Sequence, residues 1–431
     1  MSEKTLTIGL LGAGTVGSQV ARILIEDAEE LTERIGARPE LVGIAVRDLG
    51  AQRDFQAPEE LYTTDAESLI DAVDVVVELT GGIEPARTRI LRALEQGTHV
   101  VTGNKALLAQ SGAQLQAAAD ASGAQLSYEA AVAGAIPILR PLRDSLAGDR
   151  ITRVLGIMNG TTNFILDAMD STGASFQEAL AEAQRLGYAE ADPAADVEGH
   201  DAAAKAAIAA SLAFHSTFRL EDVHCEGITG ITAQEVSAAA ADGYVIKLLS
   251  VGERTEEGVS IRVHPTLISR EHPLASVREA YNAVFVQSRD AGELMFYGPG
   301  AGGAPTASAV MGDLVALGRR AVLGGPAVPD FSHRQLAAVS ADQVVSRYTV
   351  GLEVEDRLGM LANMARIFAE NEISIQTMNQ TSHASVDGEE AQTVIRLVTH
   401  RAPDAVVRRT IDQVAQLPEV QRVVSVIRVD G

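Results

Sequence analysis

Apolar residues in the first 140 positions fall into short, nearly unbroken runs separated by stretches with helical spacing. LTIGLLG, LVGIAVR (41–47), VDVVVELTG (73–81), HVVTG (99–103) and QLSYEA (125–130) predict strands. Helices are predicted over 15–31, 84–96 and 106–122. Strands that are apolar on both faces and alternate with helices belong to a parallel sheet covered on both sides, so 1–140 reads as an α/β unit of Rossmann type.

After 140 the pattern changes. RVLGIMN (153–159) predicts a strand, followed by helices near 162–171 and 175–186 and an alanine-rich helix over 200–215. VIKLLSVGER, GVSIRVHPTLI and YNAVFVQSR then predict antiparallel strands, which makes 141–320 an α+β unit. Such strands suit a sheet shared between two copies, hence a homodimer. A glycine-rich turn feeds a helix over 305–320, expected to pack back on the first unit. Weak periodicity with Gly, Pro and Ser marks 321–346 as a linker. From 347 to 431 the order is strand, helix, strand, strand, helix, strand, a ferredoxin-like unit.

Composition narrows the partners. The formal net charge of −23 argues against nucleic acid and anionic membranes, which need a basic patch. Any phosphate site must then carry its own local positive field. Cys225 is the only cysteine, which fits a reducing compartment. The N-terminus reads as a strand and not a signal peptide, and no uncharged run is long enough to span a bilayer. A cytoplasmic protein is expected.

The first strand runs into Gly12-Ala13-Gly14-Thr15-Val16-Gly17, and a helix opens there. In that context the spacing points to a dinucleotide. Gly12 permits the tight turn, Gly14 lets the pyrophosphate approach, and Gly17 allows close packing. The helix N-terminus adds free N–H groups and partial positive charge. At the end of the second strand, an acid would bind the ribose of NAD and an arginine the 2′-phosphate of NADP. Arg47 followed by Asp48 leaves both open, with the arginine favouring NADP; Arg53 reads as a solvated surface residue, with a second phosphate contact as the alternative.

Two lysines stand out. Lys105 lies at the C-terminal edge of a parallel strand, where open α/β sheets bind ligands. It also opens a helix, where a cation opposes the dipole. Lys205 lies in an otherwise apolar helix and needs a partner if buried; Asp201, four residues earlier, shares its face. A plain salt bridge accounts for that spacing equally well. Upstream, Glu190 and Asp192 sit in an acidic, proline-bearing loop that suits an amine, a metal or only water.

Together these segments resemble homoserine dehydrogenases. The resemblance runs through GNKALLA (103–109), YEAAVAGAIPIL (128–139), GIMNGTTNFIL (156–166), the stretch from Ala183 to Lys205 and YGPGAGGAPTASAV (297–310). The C-terminal unit is similar to an ACT domain. The resemblance implies NAD(P)-dependent interconversion of L-homoserine and L-aspartate 4-semialdehyde, in the biosynthesis of threonine, methionine and isoleucine. By position it makes Lys205 the proton donor, assisted by Lys105 near the cofactor. It assigns Glu190 and Asp201 to the substrate's amino group and terminal oxygen, with Gly160, Thr161 and Tyr188 in the same pocket. Gly302 and Gly303 match a turn that returns to the cofactor. A sodium ion is implied at Glu129, Val132, Gly134 and Ile136, through one carboxylate and backbone carbonyls. Threonine is the implied regulatory ligand, at the loop Glu355-Asp356-Arg357-Leu358-Gly359-Met360 of a paired ACT domain, which allows a homotetramer.

Two rivals make different demands. An acylating semialdehyde dehydrogenase needs a thiol nucleophile, and Cys225 is the only candidate. A catalytically silent amino-acid sensor would have no use for Lys105, Lys205, Asp201 and Glu190 together.

Overall fold

The fold was read from a computed structural model that describes residues 4–325, 334–355, 357–383 and 392–430. Thr5–Leu11, the central strand of the first sheet, carries Ile8, Leu10 and Leu11 with no exposure. It belongs to a six-stranded sheet in the order Tyr62–Thr63, Arg38–Ala45, Thr5–Leu11, Val75–Glu78, His99–Thr102 and Leu126–Ser127. Each neighbouring pair is parallel.

Two local expectations need correction. The helix expected over 15–31 is two, Thr15–Glu26 and Ala28–Ile35, broken where Asp27 leaves helical geometry. The break turns Leu31 and Ile35 onto the core shared by Leu6 and Leu317. The strand expected over 125–130 stops after Leu126–Ser127, because Glu129–Ala131 coils into a 3-10 turn. A short helix, Ala66–Asp71, was not foreseen; Asp65 caps it by accepting from the Ser68 amide at 3.0 Å.

Helix Gly303–Leu323 leaves the second sheet and joins the first core, burying Ala307, Val310, Leu314 and Leu317 beside Ile8, Val20 and Leu24. It extends past the predicted end at 320. Part of the stretch read as a linker is also ordered, since Ala337–Ala338 pairs with Gly258 and Val259; residues 326–333 lie outside the described residues.

The second sheet runs Gly292–Pro299, Tyr281–Ser288, Ile151–Ile157, Tyr244–Arg254, Gly258–Ser269, Val420–Asp430, Val345–Val354, Gln392–Thr399 and Ile375–His383. The last four, with helices Met360–Glu370 and Asp404–Val414, form the ferredoxin-like unit. Its sheet is continuous with that of the middle unit. Thr266, Leu267 and Ile268 pair in parallel with Arg428, Val429 and Asp430. No helix among the described residues is long and apolar enough to cross a membrane.

Candidate active site

Helix His200–Phe214 is packed on every side. Its alanines let it lie close to strands Ile151–Ile157, Tyr244–Arg254 and Gly258–Ser269, while helix Lys105–Ser122 packs against it as well. An all-round apolar helix belongs in such a place. Its first two turns deliver Asp201 and Lys205 to the floor of a cleft of about 1400 Å³ between the two sheets' units.

Lys205 is 8% exposed. Its Nζ donates to Asp201 Oδ2 at 2.7 Å and to the Met158 carbonyl at 2.8 Å. An ammonium has three N–H donors, so one is left for the cleft. Lys105 arrives from the first sheet. Asn104 caps the helix that Lys105 opens, accepting from the Leu107 amide at 3.2 Å and donating to the Gly82 carbonyl at 2.7 Å. That cap aims Lys105 across the cleft, where its Nζ lies 2.5 Å from Asp201 Oδ1. One carboxylate therefore holds two ammonium groups. Burial works to raise the Asp201 pKa, but Lys205 and Lys105 overcome it and keep the carboxyl well below its usual range.

The other expected substrate residues line the same cleft: Glu190, Gly160, Thr161 and Tyr188. Gly160 opens helix Gly160–Thr172, and a Cβ there would sit 2.6 Å from the Ala280 carbonyl oxygen. Thr161 Oγ1 donates to the Tyr188 carbonyl at 2.6 Å, tying the acidic loop to that helix. Asp192 also faces the cleft. Two further contributors were not foreseen. The Met158 carbonyl is invisible to sequence reading because every residue carries one. Asn159 caps its helix through the Thr162 amide at 2.8 Å and donates to Asp201 at 3.0 Å and Asp196 at 2.7 Å. Its place just ahead of a helix start was a usable signal.

The glycine loop passes a steric test for a dinucleotide. A Cβ on Gly17 would lie 2.1 Å from the Gly12 oxygen, and one on Gly12, at φ +94°, would lie 2.9 Å from Leu79 backbone. Gly14 is different: its Cβ would meet nothing within 4 Å, so an open approach is kept at the helix N-terminus. The first turn of that helix, from Thr15 and Val16, holds no acidic side chain. Gly302, at φ +119°, caps the long helix, and a Cβ on Gly303 would lie 2.8 Å from the Thr15 oxygen. Two helix N-termini thus meet beside Ala13 and Gly14, a field suited to pyrophosphate. Arg47 is exposed past the second strand. Arg53 departs from the solvated reading: it donates to the Ala51 carbonyl at 2.7 Å and the Asp48 carbonyl at 2.5 Å, and stacks on Tyr62 at 4.7 Å.

At the expected sodium position, the Glu129 carboxylate is already saturated. It accepts from the amides of Ile138 at 2.6 Å, Leu139 at 2.7 Å and Arg140 at 2.8 Å, and from Arg140 Nε at 3.1 Å. Four N–H donors leave that side chain nothing to offer a cation, so the expected carboxylate ligand does not fit. The Val132 amide donates to the Glu129 carbonyl at 3.3 Å, and Gly134 is at φ +58°. Asp313 lies behind this cluster, accepts from the Glu129 amide at 2.7 Å, and is pushed up to about 7, chiefly by burial. A carboxyl raised from 3.8 contributes stability that is complete below 3.8 and is lost as pH climbs through about 7. Stability is expected to fall over that window, and Asp313→Asn to flatten the slope. Denaturant midpoints measured across the window check this; equal slopes in both proteins would refute it.

Cys225 does not behave as a nucleophile. Its Sγ donates to the Glu198 carbonyl at 3.3 Å, and burial with nearby acids raises the thiol pKa.

Comparison with known proteins follows the same division. Family models match residues 12–129 (homoserine dehydrogenase, NAD binding domain), 137–315 (homoserine dehydrogenase) and 348–419 (ACT domain). A homoserine dehydrogenase of Corynebacterium glutamicum is 51% identical over 98% of this chain and 95% of its own. That of Bacillus subtilis is 39% identical, covering 99% of both. The crystal structure of a homoserine dehydrogenase from Thiobacillus denitrificans superposes with a TM-score of 0.91 at 40% identity, covering 99% of each chain. A hyperthermophilic archaeal homoserine dehydrogenase in complex with NADPH matches 75% of this chain and 99% of its own, with a TM-score of 0.62 at 28% identity. The chain belongs to the homoserine dehydrogenase family, NAD(P)-dependent oxidoreductases acting on L-homoserine and L-aspartate 4-semialdehyde, and carries a C-terminal ACT domain.

Proposed function

We propose that Lys205 is the proton donor to the aldehyde oxygen during reduction, with Lys105 sharing the positive field. The observation that carries this is the convergence of both ammonium groups on Asp201 at the cleft floor. The dinucleotide, when bound, supplies or accepts the hydride. As negative charge grows on the carbonyl oxygen, the one N–H of Lys205 not engaged by Met158 or Asp201 is poised to stabilise it and pass a proton. Asp201 holds both lysines in place at the cleft floor. Glu190 suits the substrate's ammonium group, and the N-terminus at Gly160 and Thr161 suits its carboxylate. Tyr188 lies on one wall, its ring tilted against that of Phe164 with centroids 5.1 Å apart.

Gly12, Ala13, Gly14, Thr15, Val16 and Gly17, with Gly302 and Gly303, would hold the pyrophosphate. Arg47 would pair with a 2′-phosphate, which favours NADP over NAD. Purified chain given L-homoserine is expected to reduce NADP faster than NAD. Arg47→Glu is expected to raise KM for NADP about tenfold while sparing NAD, the effect of losing one charge-assisted bond. Tight dinucleotide binding without turnover on either would sink the enzyme assignment for this chain.

For sodium, the chain offers backbone oxygens of Val132, Gly134 and Ile136 and not the Glu129 carboxylate, so its role would be structural. Threonine would bind at the loop from Glu355 to Met360, between paired ACT domains. Asp356 lies outside the described residues. Support comes from Leu358, fully exposed on that loop, with Leu361 and Met378 also exposed on the same unit. Apolar side chains of this kind suit a second copy, giving a homodimer through the middle sheet and a homotetramer through ACT pairing.

A further inference from the structure

A second hollow, about 470 Å³, lies at the far end of the elements that hold Lys205. Strand Ile151–Ile157 starts at its rim and ends beside Met158, whose carbonyl accepts from Lys205. Helix His200–Phe214 starts at the catalytic cleft and ends in the hollow, at Phe214 and His215. The two cavities are therefore separate.

The charged lining is lopsided. Among the described residues, it contains Arg150, Arg254, Arg289 and Arg334 against one carboxylate, Asp149. Asp149 is already committed, accepting from the amides of Arg150 at 2.6 Å, Asp290 at 3.1 Å and Ala291 at 2.8 Å. Arg289 pairs with Asp290 at 2.7 Å. Among the described residues, the guanidinium groups of Arg150, Arg254 and Arg334 have no carboxylate partner. They are close enough to repel: burial first, then Arg150 and Arg334, lower the pKa of Arg254. In a chain of net charge −23, three like charges gathered in one concave surface need a reason. The helix C-terminus explains little of it. A nearby cation gains little there, and the Leu212 and Ser211 carbonyls already accept from the His215 and Ser216 amides.

We propose that this hollow is a binding site for a small phosphomonoester, its phosphate held by Arg150, Arg254 and Arg334. Guanidinium forks match phosphate oxygens in pairs, and three of them surround a dianion better than they would a single carboxylate. The volume exceeds what bare phosphate fills and lies in the range of small-molecule pockets, roughly 300–1,000 Å³.

Isothermal titration of the full chain tests this, with NADPH saturating so that the glycine loop is blocked. The probes are O-phosphoserine, inorganic phosphate and, at matched ionic strength, chloride. O-Phosphoserine is expected to bind at least about tenfold tighter than inorganic phosphate, and chloride not to compete. Arg254→Met and, separately, the exposed-site variant Arg150→Ala are each expected to weaken binding about tenfold or more, the loss of one charge-assisted fork. Equal binding of phosphate and its ester would overturn the ester assignment. Full competition by chloride, or unchanged binding in both variants, would overturn the site itself. Should Arg254→Met fail to fold, Arg150→Ala with Arg334→Ala decides the matter.

Discussion

Lys205→Ala is expected to lower kcat by about 10²- to 10⁴-fold, the range for losing a positioned general acid, while NADPH binds as before. The ammonium sits at the cleft floor with two of its three donors engaged by Asp201 and Met158. Removing it leaves Asp201 with Lys105, so the buried carboxylate keeps one cation and the helix keeps its first-turn anion. A general collapse of the site is not expected, which makes the kinetic loss interpretable. The measurement is steady-state turnover on L-homoserine alongside NADPH fluorescence titration. An unchanged kcat would remove Lys205 from the chemistry. Lys105→Ala serves as the companion. Its side chain is nearly half exposed and has Asp201 as its ion-pair partner, so a smaller kcat loss is expected. Equal losses in the two variants would mean that the lysines act as one unit.

Arg428→Met is expected to loosen the junction between the ACT domain and the middle sheet by about 3 kcal/mol, the cost of breaking a buried ion pair from one side. Arg428 is 8% exposed. It donates to both oxygens of Glu226, at 3.0 and 2.9 Å, and to Asp404 at 2.8 Å. Asp404 retains Tyr348 and Arg408, and Glu226 retains His224 at 2.6 Å, which keeps the loss at the lower end of the usual range. Three kcal/mol is a factor on the order of 100 in an opening equilibrium. Amide exchange in Val420–Asp430 should accelerate by that much, while the first sheet stays protected. Unchanged exchange would refute the role of Arg428 as the clasp.

The same clasp bears on regulation. Glu226 follows Cys225, and this segment lies against the start of the catalytic helix. The Ile228 amide donates to the Val197 carbonyl at 2.8 Å, and a Cβ on Gly199 would sit 3.0 Å from Cys225 Sγ. Asp201 is two residues beyond Gly199. If threonine acts through the ACT domain, Arg428→Met should blunt its inhibition and leave basal kcat nearly intact. Full inhibition in the variant would place the coupling elsewhere.

The glycine loop, the parallel strands and the two lysines were legible in sequence because each depends on local rules. Gly12 and Gly17 are demanded by backbone clearances within one turn, and Val75–Glu78 reads as a strand from the unbroken run Val75, Val76, Val77. Lys205 and Asp201 share a helix face at four-residue spacing, so their pairing could be anticipated. Tertiary structure decided the rest. Lys105 is 96 positions from Asp201, and only the docking of the first sheet's edge on the alanine-rich helix brings them to 2.5 Å. The Glu129 carboxylate looked available to sodium until the fold turned three backbone amides and Arg140 onto it. Continuity of the middle and ACT sheets rests on backbone hydrogen bonds between Thr266–Ile268 and Arg428–Asp430, groups that every residue but proline carries alike. The arginine hollow draws Arg150, Arg254 and Arg334 from three distant segments, and spacing along the chain carries no trace of it.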